Sequence, residues 1–223
     1  MREKLPSMVR SGLSHVARLA RRMGGVDEHK RTFNYYYETD AWDGGSGPGS
    51  TPEATSEYRE FLREFLKDRD ISSVVDLGCG DWQFSQLIDW TRIDYTGLDV
   101  SSAVLKNTKR FAKPGIKFAE LNGITKDVPA ADLLILKDVI QHWSNEDVLR
   151  FIPQLSKFKY ALITNVSHKG SPLTNSESVI GGFRPVDLTA APFSVPGEYV
   201  FEFFAGEPKI TFLWSAHRSI NDS

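Results

Sequence analysis

Apolar and polar positions along residues 73–165 alternate between two kinds of segment. Short apolar runs of strand length lie at 73–77, 94–98, 116–121, 132–137 and 160–165. Between them, 82–89, 101–112 and 145–156 have helical patterns, and Ser144 is a suitable N-cap for the last of these. Strands and helices in regular alternation predict parallel strands joined by crossover helices. The pattern therefore predicts an α/β fold with a doubly wound sheet.

The two ends of this region have different patterns. Residues 198–205 and 209–217 are strand-like runs joined by Gly-Glu-Pro, which predicts an antiparallel hairpin. Residues 53–69 predict a helix that leads directly into the first strand. We therefore expect a Rossmann-like, seven-stranded and mostly parallel sheet that ends in a C-terminal antiparallel hairpin.

The first 52 residues differ from the rest of the chain. Residues 1–31 hold eight Lys or Arg against three Asp or Glu, and apolar residues recur at helical steps: Leu5, Val9, Leu13, Val16, Ala20 and Met23. They predict a basic amphipathic helix that packs on its own domain, on a second subunit in a homodimer, or on an anionic surface.

A glycine-rich loop with aromatic residues on its N-terminal side follows this helix. Residues 40–52 hold four Gly and two Pro, so neither a helix nor a strand runs through them. Tyr37 and Trp42 are among the aromatic residues at its start, which favours a binding loop over a simple tether. We predict a front segment, residues 1–52, that acts as a lid, and a ligand-binding domain over residues 53–223.

Composition narrows the possible classes of protein. The 27 Lys and Arg nearly balance 29 Asp and Glu, so no positive field would attract nucleic acid, and 40% hydrophobic residues exclude a disordered chain. The single cysteine, Cys79, excludes an intrachain disulfide and is consistent with a reducing cytoplasm. No apolar run approaches the ~20 residues of a transmembrane helix. We expect a cytoplasmic protein that does not bind nucleic acid and has no transmembrane segment.

The strongest chemical signal is VVDLGCGDWQF at residues 74–84. Asp76 lies near the end of a strand, Gly78 and Gly80 follow, and a helix is predicted to start near Trp82. A dinucleotide site would have a third glycine where Gln83 stands, and Asp76 would repel its pyrophosphate. A carboxylate here suits a cationic ligand. S-adenosylmethionine, with its sulfonium and ammonium groups, is such a ligand.

The next strand adds a second acidic residue at a characteristic spacing. Asp99 follows Gly80 by 19 residues, which is the position of a residue that binds ribose hydroxyls. After the third strand, Leu121 and Asn122 are placed to contact the face and the edge of an adenine ring.

Three segments of this chain resemble class I S-adenosylmethionine-dependent methyltransferases: DLGCGDW (76–82), GLDVS (97–101) and LILKDVIQHWSNED (134–147). With the hairpin, the resemblance covers about residues 53–217, although Trp82 replaces the usual third glycine. The segments GSGPGST and KDVIQHW also look like those of small sugar or polysaccharide O-methyltransferases. The cofactor site implied comprises Gly47, Ser50, Tyr58, Asp76, Gly78, Gly80, Trp82, Gln83, Asp99, Val100, Leu121, Asn122 and Lys137.

Catalytic candidates follow the fourth strand. His142 is the expected general base, because its ordinary pKa is near neutrality and a hydroxyl must lose a proton during methyl transfer. Asp138 would orient His142, hold the methionine ammonium group, or share a Mg²⁺ ion with His142. The acceptor-binding candidates are Tyr37, Asp40, Trp42, Trp143 and Arg184.

We therefore predict methyl transfer to a sugar or polysaccharide hydroxyl. The alternatives are a natural-product or other small-molecule acceptor, a nitrogen acceptor, and a non-catalytic protein that binds an adenosyl ligand. An NAD-dependent oxidoreductase is disfavoured by Asp76 and Gln83.

Overall fold

The structure, a computed structural model, describes residues 28–123 and 128–216. In these ranges the helices are α1 (Glu28–Glu38), α2 (Ser56–Lys67), α3 (Ser102–Thr108) and α4 (Asn145–Phe151). The strands are β1 (Ser73–Leu77), β2 (Asp94–Asp99), β3 (Ile116–Glu120), β4 (Ala131–Lys137), β5 (Phe158–Val166), β6 (Glu198–Phe204) and β7 (Pro208–Ser215). The basic helix predicted between residues 5 and 23, with its proposed role in a homodimer, lies outside the described residues.

The seven strands form one sheet in the order β3-β2-β1-β4-β5-β7-β6. Strands β1 to β5 are parallel, whereas β7 runs antiparallel to both β5 and β6. The predicted sheet and its C-terminal hairpin are confirmed. The strand order reverses between β1 and β4, so a crevice opens beyond Leu77 and Lys137, where these strands end.

The central strands are buried on both faces, because successive side chains of a strand point in opposite directions. One face packs with α4 and includes Val75, Leu134, Leu136, Ile163, Val148 and Phe151. The other packs with α2 and includes Val74, Leu133, Ile135, Leu162, Tyr58, Leu62 and Phe65. This two-sided burial explains why β4 and β5 are nearly continuous apolar runs in the sequence.

The segment after the glycines is not the predicted helix. Residues 82–89 form turns with a single 3₁₀ turn at Ser85–Leu87. Trp82 has a φ of 64°, in the left-handed region that an α-helix does not contain, and its indole packs against Tyr95 and Phe118. The glycines therefore do not lead into a helix N-terminus, and that expectation was wrong.

The other helices differ from the prediction mainly at their ends. The predicted helices 101–112 and 145–156 begin as α3 and α4 and end as 3₁₀ turns. Ser144 caps α4 as predicted, because its Oγ accepts a hydrogen bond from the Asp147 N–H at 3.1 Å. Helix α1 was not predicted. None of the helices in the described part of the chain has the length and hydropathy needed to cross a membrane.

Candidate active site

A cavity of about 880 Å³ opens beyond the carboxyl ends of β1, β2 and β4. Helix α1 and the glycine-rich loop form its front wall, and residues around 205–209 of the hairpin close another side. It brings together fourteen of the predicted site residues: Tyr37, Trp42, Gly47, Ser50, Asp76, Gly78, Gln83, Asp99, Val100, Leu121, Lys137, Asp138, His142 and Trp143.

The loop between β1 and Trp82 makes close contacts that only glycine allows. Gly78 has a φ of 77°, and a Cβ atom built on it would lie 2.5 Å from Cγ2 of Val139. Gly80 has a φ of 55°, and its Cβ would lie 2.2 Å from the Ser46 Oγ. Because Gly78 also lines the cavity, a side chain there would displace Val139 or enter the ligand space.

We expect Gly78→Ala to abolish detectable binding of S-adenosylhomocysteine, measured by isothermal titration calorimetry on protein whose fold is checked by circular dichroism. Gly115→Ala is the matched control. Gly115 has a similar φ of 82°, but only the Ile93 carbonyl oxygen, at 3.8 Å, lies near its Cβ position. Both variants carry the same ~1–2 kcal/mol of backbone strain. Only Gly78→Ala adds a side chain at the cavity, so only this variant should lose the ligand. Equal affinity in the two variants would contradict this placement.

Two buried carboxylates line one side of the cavity. Asp99 Oδ2 accepts from the Gly80 N–H at 3.0 Å, and Oδ1 accepts from the Ser101 N–H at 2.8 Å. Asp76 accepts from the hydroxyls of Tyr95 and Ser85. Burial raises the pKa of each carboxyl to about 6, against the effect of these hydrogen bonds.

These features fit S-adenosylmethionine. Two acids with raised pKa values favour a ligand that brings positive charge, and its sulfonium and ammonium groups do so. The carboxylate of Asp99 retains lone pairs for the hydroxyls of a ribose, since each oxygen accepts one N–H. Val100 and Leu121 offer apolar contacts next to it for an adenine ring.

The glycine-rich loop is fixed to the cavity wall. Residues 43–50, here called the strap, exchange hydrogen bonds with Asp81: the Ser46 N–H donates to Asp81 Oδ2 at 3.2 Å, and the Asp81 N–H donates to Ser46 Oγ at 3.1 Å. The Lys137 Nζ donates to the Gly49 carbonyl at 2.9 Å. The strap is therefore part of the site.

Asp138 lies in an ionic cluster. Its carboxylate contacts the Nζ of Lys137 at 2.6 Å and that of Lys209 at 2.7 Å, and Lys209 also contacts Glu207 at 2.8 Å. Burial opposes the charge, but the two lysines outweigh it and lower the pKa of Asp138 to about 2. Asp138 is therefore a poor proton acceptor.

The predicted metal role of Asp138 does not fit this arrangement. Both of its oxygens already face ammonium groups, which repel a divalent cation. Over residues 28–123 and 128–216, no group of three or more His, Cys, Asp or Glu is placed to hold a metal ion.

His142 is held with one ring nitrogen directed away from its backbone anchor. Its Nδ1 lies 2.7 Å from the Gly182 carbonyl oxygen, which can only accept a hydrogen bond, so Nδ1 carries the proton. Orienting His142 was one of the three roles considered for Asp138, and the Gly182 carbonyl performs it instead. Burial lowers the pKa of His142, and its neutral form has a lone pair on Nε2.

Aromatic rings surround His142. The ring centroids of Phe33, Trp42 and Phe183 lie 6.3, 6.0 and 5.9 Å from that of the imidazole. All three also line the cavity. The part of the cavity beside His142 is therefore suited to a ring-shaped molecule.

Three predicted site residues are core residues instead. Tyr58 is fully buried, does not line the cavity and stacks on Phe203. Trp82 packs in the core, as described above. Arg184 is 1% exposed and donates to the carbonyl of Ile140 and to Asn145 Oδ1, so it fixes the loop instead of contacting an acceptor.

Three others lie beside the cavity or at the surface. Gly80 shapes the loop and orients Asp99 through its N–H. Asp40 is exposed and accepts from the N–H groups of Gly44 and Gly45, so it stabilises the turn at the start of the strap. Asn122 is exposed and does not line the cavity.

Sequence reasoning also missed several residues that line the cavity, among them Phe33, Ser46, Gln141, Phe183, Glu207 and Lys209. Lys209 and Glu207 come from the C-terminal hairpin, and Phe183 comes from a long loop, neither of which carries a motif. Phe33 and Ser46 lie within the aromatic and glycine-rich front segment, whose composition was the available signal.

The sequence comparison identifies the class of protein. The family described as O-methyltransferase domain matches residues 48–164, more than half of the chain. The chain belongs to this family and is a class I S-adenosylmethionine-dependent methyltransferase. No curated protein matches the sequence significantly.

Solved structures share the fold at low identity. Mitomycin 7-O-methyltransferase MmcR is 15% identical with a TM-score of 0.63, over 93% of this chain and 67% of that chain. Magnesium protoporphyrin IX methyltransferase from Synechocystis PCC 6803, solved with bound S-adenosylhomocysteine, is 12% identical with a TM-score of 0.59, over 82% and 98% of the two chains. An O-methyltransferase family protein from Burkholderia thailandensis is 11% identical with a TM-score of 0.60, over 96% and 71%.

Proposed function

We propose that this methyltransferase acts on oxygen, at an acceptor hydroxyl placed beside His142. The observation that carries the proposal is the His142 ring: the Gly182 carbonyl accepts the Nδ1 proton, so the lone pair of the neutral ring is on Nε2. S-adenosylmethionine supplies the electrophilic methyl group when bound. Because a hydroxyl is a poor nucleophile until its proton leaves, a neutral base in contact with it accelerates the transfer.

The other residues of the cavity divide between donor and acceptor. We assign Asp99 to the ribose hydroxyls, Asp76 to the positive end of the donor, and Gly78 to close approach of its methionine part. The paired charges of Asp138 and Lys209 stay ionised and keep the floor of the cavity rigid. His142 receives the acceptor proton at Nε2.

A sugar hydroxyl is the acceptor that we propose. Sugars place their C–H faces on aromatic rings and their hydroxyls on charged groups. The rings of Trp42 and Phe183, together with the half-exposed carboxylate of Glu207, offer both kinds of contact. A planar natural product is the second candidate, favoured by the three rings around His142. MmcR is by its name a methyltransferase for one natural product, mitomycin.

The front segment is proposed as the lid of this site, separate from the domain of residues 53–223. The hydrogen bonds of the strap to Asp81 and Lys137 hold it over the glycine loop, and their rupture would open the cavity. We further propose a cytoplasmic location, which the single buried thiol of Cys79 supports.

The test is incubation of the purified protein with S-adenosylmethionine labelled on its methyl group and with panels of sugars, phenols and amines. We expect label in a sugar product that survives mild alkali, as a methyl ether does. Transfer to a phenol would select the second candidate, and transfer to an amine would overturn O-methylation.

Trp42→Ala should raise KM for the acceptor and leave donor affinity unchanged, because Trp42 is assigned to the acceptor.

A further inference from the structure

Gln141 is a buried polar residue with a fixed orientation next to the catalytic histidine. It is 3% exposed and lines the cavity. Its Oε1 accepts the Val166 backbone N–H at 2.9 Å. Because a backbone N–H can only donate, this bond determines which end of the amide is oxygen. The NH₂ group must therefore be the end that lies 3.3 Å from His142 Nε2.

The contacts around the histidine form a chain of donors and acceptors with one direction. The Val166 N–H donates to Gln141, the Gln141 amide donates to His142 Nε2, and His142 Nδ1–H donates to the Gly182 carbonyl. Neutral imidazole with its proton on Nδ1 is the one form that satisfies all three bonds. The backbone supports this arrangement, because the Gly181 N–H donates to the His142 carbonyl at 2.9 Å.

We propose that Gln141 is a positioning residue that keeps His142 neutral, because its amide donates to the Nε2 lone pair until an acceptor hydroxyl replaces the amide as donor. The inference rests on the proposed role of His142 as the base. A proton on Nε2 would point at the amide hydrogens, so the charged imidazolium is disfavoured while Gln141 is in place. An incoming hydroxyl donates to the same lone pair and restores the lost hydrogen bond.

The charged groups that face His142 lie on other elements. Besides burial, which lowers the pKa of His142, Asp138 after β4 and Glu207 before β7 raise it, and Lys209 on β7 lowers it. Arg184 approaches the backbone carbonyl of Gln141 from the loop behind. A change at the Gln141 side chain leaves these groups in place, so its effect on His142 can be measured separately.

The experiment is an NMR titration of His142 in full-length protein with labelled histidine, alongside the pH dependence of kcat. In Gln141→Glu one carboxylate oxygen still accepts the Val166 N–H, and the other accepts Nε2–H of the imidazolium. The titration midpoint should rise by about 1–3 pH units, as expected for an opposite charge within hydrogen-bonding distance. Gln141→Leu, which removes the amide donor to His142 and also the acceptor of the Val166 N–H, should raise it less. Gln86→Glu, an exposed glutamine, is the charge control and should leave it unchanged.

The outcomes separate this inference from the proposed function. A midpoint that rises in both Gln141 variants, with a parallel shift in the pH dependence of kcat, supports the inference and the proposed function. The same rise with an unshifted kcat profile supports the coupling of Gln141 to His142 and overturns His142 as the base. A midpoint that rises only in Gln141→Glu reports the new charge alone, and that result, like an unchanged midpoint in both variants, overturns the inference, whatever the activity.

Discussion

His142→Ala is expected to lower kcat by a factor of ~10²–10⁴ and to leave donor affinity unchanged, because general base catalysis contributes an acceleration of that size. The measurement is kcat with the preferred acceptor, together with a calorimetric titration of S-adenosylhomocysteine. The residues assigned to the donor, Asp76 and Asp99, lie on β1 and β2, and neither is hydrogen-bonded to His142.

The pH dependence of the wild-type enzyme should carry the signature of the same histidine. Burial lowers the pKa of His142 below its ordinary value of 6.5. The neutral fraction of His142 therefore increases as pH rises, so kcat should rise on the acid side and level off at a lower pH than an ordinary histidine would give. His142→Ala should lack this rise.

His168→Ala is the matched control for the loss of a histidine. His168 lies 3.6 Å from Asp187 and packs on Tyr199, away from the cavity, so kcat should stay at its wild-type value. Treatment with EDTA should also leave kcat unchanged, because the two lysines around Asp138 do not fit the metal role predicted for it. Near-normal kcat in His142→Ala would mean that positioning alone carries the reaction.

Much of the sheet could be predicted, because the burial of each strand is reflected in its own run of apolar residues. Strands buried on both faces are mostly apolar, and such apolar runs indicated β1, β4 and β5 in the sequence. The segment after the glycines could not be predicted in the same way. Its apolar residues at helical spacing belong instead to turns, since Trp82 takes a left-handed conformation and fills the core with its indole.

Some residues of the candidate site could be predicted from the sequence, and others could not. Asp76, Asp99 and Lys137 were predictable, because strand ends of a doubly wound sheet meet at one crevice and the chain order places them there. Phe183 and Lys209 reach the same cavity from a loop and from the hairpin, and only the tertiary fold reveals that proximity. Arg184 shows the reverse error: a charged residue in a loop looked available for a ligand, whereas the backbone carbonyls around it take its hydrogen bonds.

Asp99→Ala is expected to weaken S-adenosylhomocysteine binding by a factor of ~10²–10⁴. Two hydrogen bonds from ribose hydroxyls to a charged group contribute ~1.5–3 kcal/mol each, and ~1.4 kcal/mol corresponds to a factor of ten. Calorimetry measures the change. Asp89→Ala is the matched control, since Asp89 accepts the N–H two residues ahead just as Asp99 does, but in an exposed turn away from the cavity.

Because Asp99 also holds the Gly80 N–H, the lost affinity has to be separated from damage to the loop. Ligands without the 2′- or the 3′-hydroxyl make the separation: each should bind the wild type more weakly than the parent ligand, and Asp99→Ala should no longer distinguish them.

The pH dependence of ligand affinity gives an independent check. Since the pKa of Asp99 is raised to about 6, its carboxylate takes up a proton as pH falls through that value, and wild-type affinity should fall with it. Asp76, with a pKa also about 6, remains in the variant, so Asp99→Ala should show a shallower fall. A variant that still discriminates the deoxy ligands would place the ribose elsewhere in the cavity.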